Sequence, residues 1–367
     1  MKIQTRIIMK KSIYKQGTLL FAALLLFSLT SSAQEVSKKY HEEYTAGAGT
    51  TLDLNNKYGD IVVETWDKDQ IVINVKVTID MSNREKAEKL LEYIDVQFNQ
   101  DGNNISAKTV IDNKFNFSGW GSGSKKFSID YNVKMPSVTA LNLTNKYGNA
   151  DLDELKGLVN IDIKYGNLAA TKLSRGNIKP LNTIYLAYGK GTIDDAGWLN
   201  MTIRYCGSME IDKCQALLLD SKYSKISIGE SSSVVSESKY DNIRIDEINN
   251  LVIDNGYTGV TIGTLNKKLE YNGSYGSLNV DRIPAGFESV DVETRYMGVK
   301  LGIDESADYK LDAKVSYGGL KYNENNFRNH RRIVENNSTE VSGVIGGEES
   351  PQSTVHVVSS YGSVRLY

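Results

Sequence analysis

The sequence predicts an all-β fold, a single-chain parallel β-solenoid of about 12 short coils with a small strand–helix–strand insertion near the N-terminus. Tyrosine is used 22 times against 8 Phe and 3 Trp. Tyr147, Tyr165, Tyr188, Tyr205, Tyr223, Tyr240, Tyr257, Tyr275, Tyr296 and Tyr317 recur every 17–23 residues, with outlying copies at Tyr58 and Tyr361. Apolar residues alternate with period 2 on both sides of each tyrosine and change parity across it, which is strand behaviour interrupted by a corner.

Residues 1–33 stand apart from this pattern. Lys2, Arg6, Lys10, Lys11 and Lys15 precede an apolar run from Leu19 to Leu29, and Ser31 and Ala33 suit cleavage before Gln34. The run reaches about 16 Å as a helix, short of the roughly 30 Å hydrocarbon core, so it reads as a signal peptide. Its removal leaves a mature chain, 34–367, with a net charge of about −7 and no stretch long and apolar enough to span a membrane. An acidic exported chain is a poor general ligand for nucleic acid.

The first corner is NKYGD at 56–60. An insertion over 70–136 then interrupts the repeat. Gln70 to Asp80 alternates as a strand, Ser82 and Glu85 form a capping box, and Ala87, Leu90, Leu91 and Ile94 make the apolar stripe of one helix. Strands are expected near 95–98, 104–111 and 126–134, with a Gly/Ser-rich loop at 118–124. The insertion is placed as a cap over the N-terminal edge of the solenoid.

From NKYGN at 145–149 the corners follow one another, including IKYGN at 163–167 and GSYGS at 273–277. Tyr147–Gly148, Tyr165–Gly166 and Tyr275–Gly276 are the structural corners, with glycine expected to supply the permissive backbone. A unit this short cannot bury its apolar face alone; stacked at about 4.8 Å, twelve units rise about 53 Å around one core. Ile243, Ile245, Ile253, Val260, Ile262, Leu278 and Val280 belong inside, with Arg244, Thr261 and Asn279 outside. Two columns flank the tyrosines. Asn56, Asn145, Ser221, Ser238, Asn255, Thr294 and Ser359 lie two residues before it and are expected to form a polar ladder. Lys57, Lys146, Lys164, Arg204, Lys222, Lys239 and Arg295 lie one residue before it and point to water. This basic row is a solvated face that blunts aggregation or a surface for an anionic glycan or lipid head group. The tyrosine row itself is corner packing or a sugar-stacking platform.

A second interruption, 323–354, carries Arg328, His330, Arg331 and Arg332 and reads as a long surface loop before the final coil, SSYGSVRLY at 359–367. The leader, the strand–helix–strand insertion, SIDYNVKMP at 128–136 and the serial Tyr–Gly corners resemble the putative-adhesin β-solenoid family of exported bacterial proteins, Bacteroidetes-like in character. The resemblance covers nearly all of the mature chain. It implies an adhesin-like protein and brings no established catalytic residues with it.

The residues offer little for catalysis. His41, His330 and His356 are the only histidines and are far apart in sequence. No HExxH, GxSxG or P-loop motif is present. Asp194–Asp195 and Glu348–Glu349 are adjacent carboxylates that point apart on a strand or turn. Cys206 and Cys214 are either a disulfide, which export permits, or small core residues. No catalytic, cofactor or metal site is expected. The favoured reading is an exported non-catalytic interaction or structural protein of the cell envelope, periplasmic, surface-bound or extracellular, with an envelope protein or glycan as its partner. The alternatives are a polysaccharide-acting β-helix lyase or hydrolase, and an outer-membrane barrel, whose strands need about 9–11 residues.

Overall fold

A computed structural model of the chain describes residues 34–81, 83–115, 126–325 and 327–367. The leader, Ser82 and the expected Gly/Ser loop lie outside the described residues. The fold is all-β, with 26 strands in a long, mostly parallel sheet and one helix among the described residues.

Strands that precede a tyrosine pair with one another, as do strands that follow one. In the first set Thr51–Lys57 pairs in parallel with Ala140–Lys146, which pairs with Val159–Lys164, which pairs with Asn182–Ala187. In the second, Ile61–Trp66, Ala150–Leu155 and Leu168–Leu173 follow in the same order. Mid-chain strands such as Ser208–Lys222 and Lys225–Lys239 run through both sets, so one rung passes directly into the next. The apolar positions of both sets face a shared interior. Ile243, Ile245, Ile253, Val260, Ile262, Leu278 and Val280 are all buried, whereas Arg244, Thr261 and Asn279 are not. Burial of a Val, Leu or Ile side chain contributes about 1.5–3 kcal/mol, which makes this interior the main source of stability.

One end is closed by Gln34–Thr45, Gln70–Met81 and Lys126–Pro136, which pair antiparallel before the last of them joins Ile61–Trp66 in parallel. Helix Arg84–Leu91 lies against the first two of these strands and buries Ala87 and Leu90. Its N-cap is Asn83, whose Oδ1 accepts from the Lys86 amide at 2.9 Å, one residue later than the capping box predicts. Ile94 leaves the helical stripe and opens the strand Ile94–Asp101.

The opposite end corrects the sequence reading twice. The segment 323–354 is not a plain loop: Phe327–Glu335 and Ser338–Ile345 form an antiparallel hairpin, and the second of these strands pairs antiparallel with Tyr309–Ser316. The last strands in sequence are also not the last in space. Ser353–Ser360 lies between Ser289–Arg295 and Tyr309–Ser316, and Val364–Leu366 lies between Gly298–Ile303 and Leu320–Lys321. The exposed outer strand carries Arg328, Arg331 and Arg332, charges that discourage edge-to-edge pairing.

Candidate functional site: the tyrosine edge

The corner tyrosines form one continuous stack. In spatial order it runs Tyr58, Tyr147, Tyr165, Tyr188, Tyr205, Tyr223, Tyr240, Tyr257, Tyr275, Tyr296, Tyr361 and Tyr317, with ring centroids 4.8–5.1 Å apart and planes within 15° of parallel. The rings from Tyr147 onward are about half exposed, from 42% at Tyr147 to 58% at Tyr317. The spacing is the inter-strand distance itself, so the stack follows from putting one tyrosine at the same register position of every rung.

Every one of these tyrosines has a positive φ, between 53° and 67°. The sequence assigns the permissive backbone to the glycine that follows, and that assignment is wrong: Gly148, Gly166 and Gly276 have no positive φ. A left-handed conformation costs a bulky residue about 1–2 kcal/mol. Two features offset it. Each tyrosine amide donates to the carbonyl one rung on, as Tyr147 does to Lys164 at 3.0 Å and Tyr275 to Arg295 at 3.1 Å. Each stacked ring pair adds about 0.5–1.5 kcal/mol. The glycine is needed for close approach instead. A Cβ on Gly148 would lie 1.9 Å from the Gly59 carbonyl oxygen, and one on Gly166 would lie 1.8 Å from that of Gly148.

Where the glycine is absent, the corner carries an inward side chain: Cys206, Ser224, Asp241, Thr258 and Met297 are buried there. Asp241 organises this stretch. Its Oδ2 accepts from the hydroxyls of Ser221 at 2.7 Å and Ser238 at 2.6 Å, and its Oδ1 accepts from the Ser224 amide at 2.6 Å. The polar column two residues before the tyrosine is therefore not a self-bonded ladder. It is buried and interrupted by Ile163, Leu186, Ile203, Gly273 and Val315; Ser221 and Ser238 bond to Asp241, Asn56 and Asn145 donate to corner carbonyls, as Asn145 Nδ2 does to Gly59 and Asn149 at 3.0 Å, and Asn255 accepts from the Tyr271 hydroxyl. A ladder does form on the outer surface, where Asn142 donates to Asp53, Asn160 to Asn142 and Thr183 to Asn160.

The basic row lies outside, beside the rings. Lys57 Nζ sits 4.6 Å from the Tyr58 centroid, Lys146 Nζ 5.0 Å from that of Tyr147, and the Arg295 guanidinium 5.7 Å from that of Tyr296, all within cation–π reach. Register aligns Lys57, Lys146 and Lys164 in one run and Arg204, Lys222 and Lys239 in another, separated by Ala187. Lys164 pairs with Asp162 and Arg204 with Asp220, whereas Lys146, Lys222 and Lys239 make no ion pair among the described residues.

This arrangement decides what the edge presents. Interior rings cover each other's faces, so they offer no platform for a sugar; their edges and hydroxyls face water beside the cations. Desolvation within the stack, reinforced by Tyr165, Tyr205 and Tyr185, pushes the Tyr188 phenol above its usual range.

Other candidate groups are dispersed. His41 bonds to Asn74 and Glu43, His330 to Tyr322, and His356 faces Asp312. Asp195 pairs with Lys172 while its neighbour Asp194 is exposed, and Glu348 and Glu349 are exposed. Cys206 and Cys214 are buried and free. The disulfide left open by the sequence is not formed: the two thiols lie against different partners. Cys206 Sγ lies against the Leu186 and Arg204 carbonyls and Cys214 Sγ against Ser231. Burial pushes both thiols up.

No family model and no curated protein matches this chain. Solved structures similar to it include a putative adhesin from Parabacteroides distasonis, at 12% identity over 91% of this chain and 98% of that one, with a TM-score of 0.31. A putative adhesin from Parabacteroides merdae follows at 9% identity over 90% and 96%, with a TM-score of 0.30. A putative lipid binding protein from Parabacteroides distasonis matches at 12% identity over 90% and 97%, with a TM-score of 0.26. Two of the three carry the name of the family that the sequence resembles.

Proposed function

We propose that this chain is an exported, non-catalytic interaction protein of the cell envelope, adhesin-like, in which residues 1–33 are a signal peptide and 34–367 a β-solenoid of about twelve coils. Its tyrosine edge and basic row, centred on Lys146, Lys164, Arg204, Lys222 and Lys239, hold an extended anionic glycan. One observation carries this reading: a continuous tyrosine stack, half exposed from Tyr147 onward, runs from Tyr58 to Tyr317, flanked by Lys146, Lys222 and Lys239, which make no ion pair among the described residues. Cations repeated at the rung spacing match charges repeated along a polymer better than they match a single compact ligand. No helix among the described residues is long and apolar enough to cross a membrane. An outer-membrane barrel is a closed antiparallel sheet with its apolar face outward; these strands are mostly parallel and turn their apolar residues inward.

The test is retention of the purified protein on immobilised polygalacturonate, with dextran as the neutral control and anionic phospholipid vesicles as a separate arm. Salt-sensitive retention on the acidic polymer, lost when the five basic residues are changed together to Gln, supports the reading. Equal retention by wild type and variant overturns it. Binding to vesicles alone replaces the glycan with a lipid head group. Release of unsaturated or reducing ends would make the protein an enzyme.

A further inference from the structure

The two ends of the tyrosine stack differ. At one end Tyr58 is covered by Phe127, with centroids 5.0 Å apart, and Phe127 in turn meets Phe115. At the other end Tyr317 has Tyr361 on one face and, among the described residues, no ring on the other. It is the most exposed ring of the stack. The sheet nevertheless continues into the hairpin of Ser338–Ile345 and Phe327–Glu335: Ser316 pairs with Ser338, and the Tyr317 amide donates to the Asn337 carbonyl at 2.7 Å. The register position of a thirteenth tyrosine is therefore occupied by Asn337, within the two-residue turn Asn336–Asn337, where Asn336 is left-handed.

A cavity of about 390 Å³ opens beside the end of the stack, lined by Tyr317, Ile333, Glu335, Asn336, Asn337 and Ser338. Its volume falls in the range of small-ligand sites, on the order of 300–1,000 Å³. An aromatic ring free on one face, ringed by amide, hydroxyl and carboxylate groups, suits a ring that is apolar on its face and polar around its rim. A pyranose has that form: its axial C–H bonds pack on an aromatic face while its hydroxyls reach hydrogen-bonding groups at the edge. The lining also argues against an acidic sugar, because Lys314 is neutralised by Glu340 and Glu335 adds a further negative charge.

We propose that the open face of Tyr317 is a binding site for one uncharged pyranose residue of a glycan, held between the last ring of the stack and the Asn336–Asn337 turn. The proposal deepens the glycan-binding reading above and rests on it for the class of ligand, but it uses a different part of the edge and a different kind of sugar. The interior rings cannot serve this way, since both of their faces are covered.

Saturation-transfer NMR on the full purified protein tests it, with cellobiose, lactose, maltose and chitobiose as probes. Transfer to the ring C–H protons of at least one disaccharide is expected. Tyr317→Asn tolerates the left-handed backbone and removes the ring, and should weaken binding about tenfold or more. Tyr317→Trp retains a face and should retain binding. Lys300→Ala, an exposed change outside the tyrosine edge and the cavity, serves as the control and should leave the signal unchanged. Absence of transfer from all four sugars at millimolar concentration overturns the proposal, as does transfer that survives Tyr317→Asn. Polygalacturonate retention separates the two hypotheses: retention by wild type without disaccharide transfer overturns this site and leaves the reading above standing, unchanged retention with lost transfer in Tyr317→Asn supports both, and loss of both in that variant assigns one shared site and overturns a separate one.

Discussion

Gly276 lies so close to Thr258 that a Cβ on the glycine would sit 1.9 Å from the Thr258 carbonyl oxygen. The next corner can approach this closely only if it carries no side chain. Gly276→Ala should therefore destabilise the protein by about 1–3 kcal/mol, as overpacking does. Lys239→Ala, on the outer surface, should stay within about ±0.5 kcal/mol. Thermal melts of the two variants check this, and equal small shifts would mean that the corners yield easily.

The left-handed tyrosines give an ordering that ring loss alone does not. At Tyr240, whose ring stacks 4.8 Å from both Tyr223 and Tyr257, every truncation loses the same two contacts. Asn tolerates a φ of 59° and a β-branched residue does not. Tyr240→Val should melt below Tyr240→Asn by the equivalent of about 1–2 kcal/mol. The reverse order would contradict the backbone assignment.

Asp241 accepts from Ser221, Ser238 and the Ser224 amide inside the corner. Asp241→Ala strands three donors, each of which costs about 1–3 kcal/mol if left unsatisfied. A loss above about 2 kcal/mol is expected in urea unfolding. Asp241→Asn keeps one acceptor oxygen and should lose less.

Stability should fall at alkaline pH. Burial pushes Tyr271 and Tyr309 each up to about 12 from an ordinary 10.0, and pushes Tyr131 up as well. With the folded value raised, the unfolded chain releases these protons first. The contribution is complete below pH 10 and is lost as pH rises from there toward 12. Each such group is linked to about 2–3 kcal/mol over that window. Tyr271→Phe should flatten the decline by one group's share, measured as the difference in urea midpoints between pH 8 and pH 11.

The thiols are the last case. Cys206 and Cys214 are buried, unpaired and raised in pKa. A thiol reagent should label neither in the folded protein and both in urea without prior reduction. Labelling that required a reductant would restore the disulfide.

Much of this architecture is written locally. Alternation around Ile243, Ile245, Val260 and Ile262 places those residues inside whatever their partners are, because a strand's side chains alternate by two and one face must leave water. The tyrosine intervals likewise mark the corners, and the outward parity of Lys146, Lys222 and Lys239 follows from the same count. Only the tertiary structure decides which rung lies beside which. Ser353–Ser360 follows Tyr309–Ser316 in sequence, yet it sits between that strand and Ser289–Arg295, which leaves Tyr317 and not Tyr361 at the end of the stack. Strand order is set by hydrogen bonds between segments far apart in the chain, and no period within a segment encodes it. The exchanged roles of tyrosine and glycine have the same origin. Gly276 is required by a carbonyl from the preceding rung, a neighbour that exists only once the rungs have stacked.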